Sequence, residues 1–144
     1  DSSTVYGYKV EYDLQQCPIF VTYHKDTERI SALIDYRDRF LTPDTFIWET
    51  RFNRTTTSKE VVAIRQEAMK KLLFVKKSDD EGGEFYFLGP LRFMRNAMST
   101  KTDEHGRKHS VVMMRFSLFH PLPDDLYHYL ISEEETGEER ADIA

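Results

Sequence analysis

Two apolar segments separated by a short polar turn constrain the fold of this chain more than any other feature. The segments cover residues 71–77 and 84–89, and both are rich in the aromatic and aliphatic residues that favour strands. Residues 79–83 between them, Asp-Asp-Glu-Gly-Gly, form a strong turn signal. The pattern therefore predicts a β-hairpin, and the Gly89-Pro90 pair is expected to break its second strand.

Runs of β-branched and aromatic residues predict further strands over residues 18–24, 46–54 and 110–119. The last of these has apolar residues on both faces, which is typical of a central strand. Residues 91–95 are expected to resume pairing after the Gly89-Pro90 bend. The polar residues 99–109 are expected to form a loop or a hairpin tip.

Helices are fewer and shorter in the predicted fold. Apolar residues at helical spacing predict a helix over residues 58–70, with Ser58 available as its N-cap. Shorter helices are expected over residues 27–34 and 123–130. The predicted fold class is α+β, a mostly antiparallel curved sheet or partly open β-barrel with two or three short helices. By analogy, such a sheet is similar to the base-reading barrels of the PUA and SRA type.

A chain of 144 residues is long enough for one domain with its own core. We expect residues 1–17 to be a lead-in, 18–131 a single globular domain, and 132–144 an acidic, disordered tail. Because the chain starts at Asp1, it is expected to be a piece of a larger protein. No apolar run approaches the roughly 20 residues that would cross a bilayer, and no signal peptide is visible, so we expect no membrane partner. A single cysteine, Cys17, excludes an internal disulfide and fits the cytoplasm.

The net charge of −5 conceals a basic middle. Residues 51–115 hold 14 lysines and arginines against 8 acids, whereas residues 116–144 hold 1 against 8. Local fields matter more to a charged ligand than the total charge. Spread over solvated faces, the same cations would form no patch. Twelve of the 14 fall into two groups, Arg51, Arg54, Lys59, Arg65, Lys70 and Lys71, and Arg92, Arg95, Lys101, Arg107, Lys108 and Arg115.

The stretch around the only tryptophan is the leading candidate for a binding site. Strand alternation places Phe46, Trp48 and Phe52 on one face and Arg51 on the other. We expect Phe46 and Phe52 to be buried in the core. Trp48 has two alternatives, burial in the core or stacking on a nucleobase. One flat strand cannot offer Trp48 and Arg51 to the same ligand. We therefore expect the strand to end near Thr50, leaving a basic loop rich in hydroxyl groups.

The predicted nucleic-acid site combines this loop with aromatic rings that can stack on a base. The loop leads to the N-terminus of the predicted helix, where free N–H groups beside arginines favour an anion such as phosphate. Stacking would contribute about 1–3 kcal/mol per base. The predicted nucleic-acid-binding residues are Trp48, Arg51, Arg54, Thr55, Ser58, Lys59, Tyr23 and Lys25.

Sequence signals for catalysis and metal binding are absent. There is no Gly-x-Ser-x-Gly motif and no P-loop, and Cys17 precedes an apolar strand, as a buried thiol does. His105 and His109 lie four residues apart, but Gly106 and polar neighbours favour a loop over a helix that presents ligands. We therefore expect no enzymatic activity, no metal site and no cofactor in this chain.

The order of several short motifs resembles the "domain of unknown function 3427" family. The resemblance spans roughly residues 18–126. The motifs are residues 18–25 (Pro-Ile-Phe-Val-Thr-Tyr-His-Lys), Asp35-Tyr36, Phe46-x-Trp48, residues 55–58 (Thr-Thr-Thr-Ser), residues 73–75 (Leu-Phe-Val), residues 87–89 (Phe-Leu-Gly) and Phe116-x-Leu118-x3-Leu122-Pro123.

This resemblance implies an accessory domain near the C-terminus of a bacterial superfamily 2 helicase, often with a phospholipase-D-like nuclease domain, in restriction or mobile-element settings. ATP hydrolysis and cleavage would then lie elsewhere in the parent protein. The chain departs from the family pattern where Thr50-Arg51 replace Ser-Gln, so Arg51 would favour phosphate or guanine. A glycine expected after the Ser/Thr run is also missing.

Three functions remain open on the sequence. The leading hypothesis is a non-catalytic module that binds nucleic acid, with DNA as the expected partner, on behalf of an attached helicase or nuclease. The alternative is a protein-interaction or scaffold domain that docks on the parent helicase core or on another subunit. A third is a nucleotide or small-ligand sensor that uses the anion site at Ser58.

Overall fold

A computed structural model of the chain describes residues 7–24, 38–78 and 84–132. The predicted turn at 79–83, the predicted helix at 27–34 and the predicted tail after residue 132 lie outside these ranges. The described elements are β1 (Gln16–His24), β2 (Arg39–Thr42), β3 (Thr45–Glu49), α1 (Lys59–Arg65), β4 (Lys70–Ser78), β5 (Tyr86–Thr102), β6 (Lys108–Leu118) and α2 (Asp124–Ile131).

The six strands form one mixed sheet in the order β1-β4-β5-β6-β3-β2. β1 runs parallel to β4, and every other neighbouring pair is antiparallel. The sheet curls into a half-barrel that carries the two helices. The predicted α+β fold with a mostly antiparallel, curved sheet is confirmed.

The predicted break of the strand at Gly89-Pro90 is wrong, because β5 passes through it without losing its pairing. Gly89 pairs with Leu73 and Pro90 with Leu72 of β4. A register shift between Leu73 and Phe74 absorbs one extra residue, as a β-bulge does. Gly89 has a φ of 89°, which a residue without a Cβ adopts at little cost.

The predicted loop over residues 99–109 is also shorter than expected. β5 and β6 stay paired up to Thr102 and Lys108. Only residues 103–107 form the turn, which the Asp103 carboxylate holds by accepting the backbone N–H groups of His105 at 2.8 Å and Arg107 at 2.9 Å. The polar residues 99–109 therefore comprise the solvated ends of β5 and β6 as well as the turn between them.

Helix α1 has 7 residues, so the prediction of a helix up to residue 70 is wrong in its second half. Gln66 is extended, with φ −72° and ψ 135°. The Lys71 ammonium donates a hydrogen bond to the Gln66 carbonyl at 2.9 Å. Burial lowers the pKa of Lys71, which is 2% exposed and does not contribute to a surface charge cluster.

The hydrophobic core lies on one face of the sheet. Its residues alternate along each strand with residues that point to the opposite face, which we call the second face. The segment before residue 18, predicted as a lead-in, contributes the buried ring of Tyr8. The main contributors are Cys17, Ile19, Phe46, Trp48, Val61, Ile64, Leu73, Val75, Leu91, Val112, Met114, Phe116 and Leu130.

Candidate nucleic-acid interface

Strand β3 ends at Glu49, so the expectation that it stops near Thr50 is confirmed. The Thr50 hydroxyl accepts the backbone N–H of Val112 at 3.0 Å, and the Thr50 N–H donates to the Val112 carbonyl at 3.1 Å. The chain then leaves the sheet. Residues 51–58, which we call the basic loop, lead from this point into α1.

Trp48 belongs to the core, which is the first of its two alternatives. Its side chain is 3% exposed, meets the ring of Tyr8 edge-on at 4.7 Å, and lies 6.0 Å from Phe116. A nucleobase cannot stack on it in this conformation. Phe46 is fully buried as predicted, but Phe52 lies outside the core and stacks on His109 at 4.3 Å.

Both arginines of the basic loop are fastened to other parts of the domain. The Arg51 guanidinium donates to the Tyr8 carbonyl and lies 4.1 Å from the centre of the Tyr8 ring. Arg54 Nε lies 2.6 Å from Glu60 Oε1, which also accepts the Tyr8 hydroxyl. The hydrogen bond to Glu60 raises the pKa of Arg54, and burial together with Glu60 raises that of Tyr8. These contacts stabilise the loop and leave its arginines less available to a phosphate.

The remaining described residues of the predicted site also have internal partners, and Tyr23 lies on a different element, β1. The Thr55 N–H donates to Ser58 Oγ at 2.9 Å, and no described side chain caps α1. Lys59 Nζ lies 4.4 Å from the centre of the Tyr12 ring. The Tyr23 hydroxyl accepts the Phe40 N–H at 3.2 Å, and its ring stacks on that of Phe40.

Lys25 lies outside the described residues, so its predicted role is untested.

Cys17 is fully buried, as its position before an apolar strand predicted. Burial raises the pKa of its thiol to about 12, which makes it a poor nucleophile.

The second face carries a row of arginines that crosses four neighbouring strands. In the register of the sheet, Arg39 of β2 pairs with Ile47 of β3, Ile47 with Arg115 of β6, and Arg115 with Arg95 of β5. We call Arg39, Arg95 and Arg115 the arginine row. Like charges on directly opposed residues destabilise a sheet, so the Arg95–Arg115 pair is not explained by sheet stability.

The arginine row borders an open groove of about 450 Å³. Its lining combines guanidinium groups with apolar side chains, as a pocket for a partly apolar anion does. The lining residues are Arg39, Leu41, Ile47, Arg95, Asn96, Ala97, Met113, Met114 and Arg115.

Among the described residues, two of the three arginines of this groove carry a charge that no ion pair compensates. Within residues 7–24, 38–78 and 84–132, neither Arg95 nor Arg115 forms an ion pair. Arg115 Nε is buried and has no hydrogen-bond partner there. Oε1 of the neighbouring Glu49 forms an ion pair with Lys101 Nζ at 3.1 Å. The groove therefore offers unused donors and positive charge to an anion.

Sequence reasoning placed Arg95 and Arg115 in its second basic group but not in the predicted site. It missed Arg39. Each of the three lies on a strand where alternation assigns it to the face opposite the core, which is the signal that could have found the row.

A family model described as a domain of unknown function, DUF3427, matches residues 1–130. The chain belongs to this family. The matched range of the DUF3427 domain includes all six strands and the arginine row. A search of curated proteins found no match to the chain.

Two further observations concern metal ligands and membrane-spanning helices. No group of three or more histidine, cysteine, aspartate or glutamate residues in the described ranges is placed to hold a metal ion. Within the same ranges, no helix is both long and apolar enough to cross a membrane.

Proposed function

We propose that this DUF3427 domain is a non-catalytic module that binds nucleic acid, with DNA as its partner, by holding backbone phosphates in the groove of the arginine row. The observation that carries the proposal is the alignment of Arg39, Arg115 and Arg95 across four strands in one groove. The basic loop, where the sequence placed the site, becomes a structural element that supports the sheet.

The chemistry of the groove favours phosphate over other ligands. A guanidinium presents a planar fork of donors that matches two phosphate oxygens, and it stays charged at any physiological pH. Three such groups on a rigid sheet need little reorganisation to bind a row of anions. Phosphate contacts of this kind position a nucleic acid without reading its sequence.

Family membership supports a role within a larger protein. The DUF3427 resemblance implies a parent with a superfamily 2 helicase and a phospholipase-D-like nuclease in a bacterial cytoplasm. In that setting the domain would hold DNA near the catalytic parts during restriction or phage defence. Docking on an acidic surface of the parent helicase core is the rival use of the same charges.

The proposal is tested by measuring the affinity for a labelled oligonucleotide between 50 and 200 mM salt by fluorescence anisotropy. Arg95→Ala with Arg115→Ala should weaken binding and lower the slope of log affinity against log salt by about two, since each lost phosphate contact lowers it by about one. Arg51→Ala with Arg54→Ala is the matched control from the basic loop and should leave the slope nearly unchanged.

Three controls separate binding from folding and from the rival function. Circular dichroism establishes that each variant is folded, and Arg95→Ala alone serves if the half-buried Arg115 is needed for folding. Absence of binding at the lowest salt would refute the proposal. Binding that is lost in the loop pair but kept in the groove pair would do so as well. Co-purification with the parent helicase core after nuclease treatment would then favour the docking function.

A further inference from the structure

The second face also carries a row of phenylalanines. Phe20 of β1 pairs with Phe74 of β4, and Phe74 pairs with Phe87 of β5. The ring centres of Phe20 and Phe74 are 4.6 Å apart, and those of Phe74 and Phe87 are 5.0 Å apart. Phe87 is 57% exposed. We call these three residues the aromatic row.

The aromatic row and the arginine row lie on the same face of the sheet, and β5 belongs to both. Along β5 the second-face residues after Phe87 are Pro90, which pairs with Leu72, and Arg92, which pairs with Ser117. Arg95 follows after a second register shift that keeps it opposite Arg115. Arg95 lies eight positions after Phe87, so the two rows are at most about 26 Å apart along β5 at about 3.3 Å per residue.

A further aromatic residue, Phe119, lies between the two rows. The Arg92 guanidinium is 4.6 Å from the centre of the Phe119 ring, and Phe119 is 50% exposed. Phe87 and Phe119 are exposed, whereas Phe20 and Phe74 are partly buried. A contiguous apolar surface of this kind marks a candidate binding site. With arginines on the same face, the surface suits an occupant that presents both flat apolar groups and negative charges.

We infer that the second face binds single-stranded nucleic acid, with bases stacked on the aromatic row and phosphates held by the arginine row. The inference rests on the proposed function and names its substrate class. A single strand exposes the faces of its bases, whereas a duplex stacks them on each other and presents only backbone and groove edges. A duplex would therefore contact the arginine row and make no stacking contact with the aromatic row.

The experiment compares a labelled 16-nucleotide single strand with the duplex of the same sequence, on the whole chain, by fluorescence anisotropy at low salt. The single strand should bind more tightly. Phe87→Ala and Phe87→Leu should both weaken single-strand binding, by about 5- to 150-fold for the loss of stacking, and leave duplex binding unchanged. Phe87→Tyr, which keeps a flat ring, should retain the affinity.

Leu14→Ala is the matched control for loss of an exposed apolar side chain, because Leu14 is 65% exposed in the turn before β1. It should not change either affinity. Equal affinity for strand and duplex, with no effect of the Phe87 variants, would overturn the inference and leave the proposed function standing. A single-strand preference that survives both Phe87→Ala and Phe87→Leu would overturn the aromatic row as its cause. Absence of binding to both probes would refute the proposed function and this inference together.

Discussion

Arg54 in the basic loop and Arg95 in the arginine row have the same side chain but different surroundings. Arg54 lies 2.6 Å from the Glu60 carboxylate, and its Nη1 donates to the Phe52 carbonyl at 2.9 Å. Arg95 stands opposite another arginine and forms no ion pair with any described residue. The difference teaches that a basic segment of sequence does not by itself leave its charges available, because the fold can pair them internally.

The largest loss of stability is expected for Trp48, the core residue that precedes the basic loop. Trp48→Ala should lower the free energy of unfolding by about 3–5 kcal/mol, because it empties a buried site between Tyr8 and Phe116. Urea denaturation measures the loss. Phe87→Ala on the second face is the control and should cost less than about 1 kcal/mol. Equal losses in the free energy of unfolding for the two variants would contradict the view that Trp48 stabilises the core while Phe87 does not.

Tyr8→Phe should have the next largest effect. It removes the hydroxyl that donates to Glu60 and accepts the backbone N–H of Arg51 at 3.2 Å. The partly buried Glu60 carboxylate then has one partner fewer. We expect a loss of about 1–3 kcal/mol in the free energy of unfolding. Tyr12→Phe, at an exposed ring, is the matched control and should change stability little. Similar losses in both variants would indicate that the hydroxyl of Tyr8 does not fasten the loop.

Single arginine substitutions should then change stability in opposite directions. Arg54→Ala breaks a half-exposed ion pair and should cost about 0.5–1 kcal/mol. Arg95→Ala relieves repulsion by Arg115 and should leave stability unchanged or raise it by up to about 0.5 kcal/mol. Thermal denaturation at low and high salt checks both, because screening should shrink the difference. A clear loss of stability in Arg95→Ala would show that the arginine row is structural.

The smallest effect is expected for Asp103, in the turn between β5 and β6. The hydrogen bond from His109, followed by those of the turn, lowers the pKa of Asp103 to about 2. Because this folded-state pKa lies below the ordinary value near 3.9, the carboxylate stabilises the fold above about pH 4 and loses this effect as the pH falls toward 2. Asp103→Asn should flatten the fall of the melting temperature between pH 4 and 2. An unchanged slope would mean that Asp103 contributes nothing there.

Much of the sheet follows from local patterns. Strands β1, β4 and β6 were predictable because each has enough β-branched and aromatic residues to mark a buried face. The end of β3 near Thr50 was predicted on the assumption that Trp48 and Arg51 serve one ligand, although Trp48 is buried in the core. Local patterns failed where β5 continues through Gly89-Pro90. Leu88 of β5 is an extra residue opposite the Leu73–Phe74 step of β4, and this bulge preserves the pairing with β4, which the sequence of β5 alone does not specify.

The candidate site was less predictable, for a physical reason. Arg39, Arg115 and Arg95 are far apart in sequence and become neighbours only through strand order and register, which no local pattern specifies. The basic loop attracted the prediction because its cations are close in sequence. Its internal partners Tyr8 and Glu60 could not be read from that segment alone.

The most direct test of the central claim, that nucleic acid binds the second face through the arginine row, is a map of amide chemical-shift changes on the isotope-labelled chain. A single-stranded oligonucleotide is added at low salt. We predict that the largest changes fall on β5 and β6 around Arg95 and Arg115, extend to Phe74 and Phe87, and are small in residues 51–58. Changes concentrated in residues 51–58, with β5 and β6 unaffected, would contradict the account.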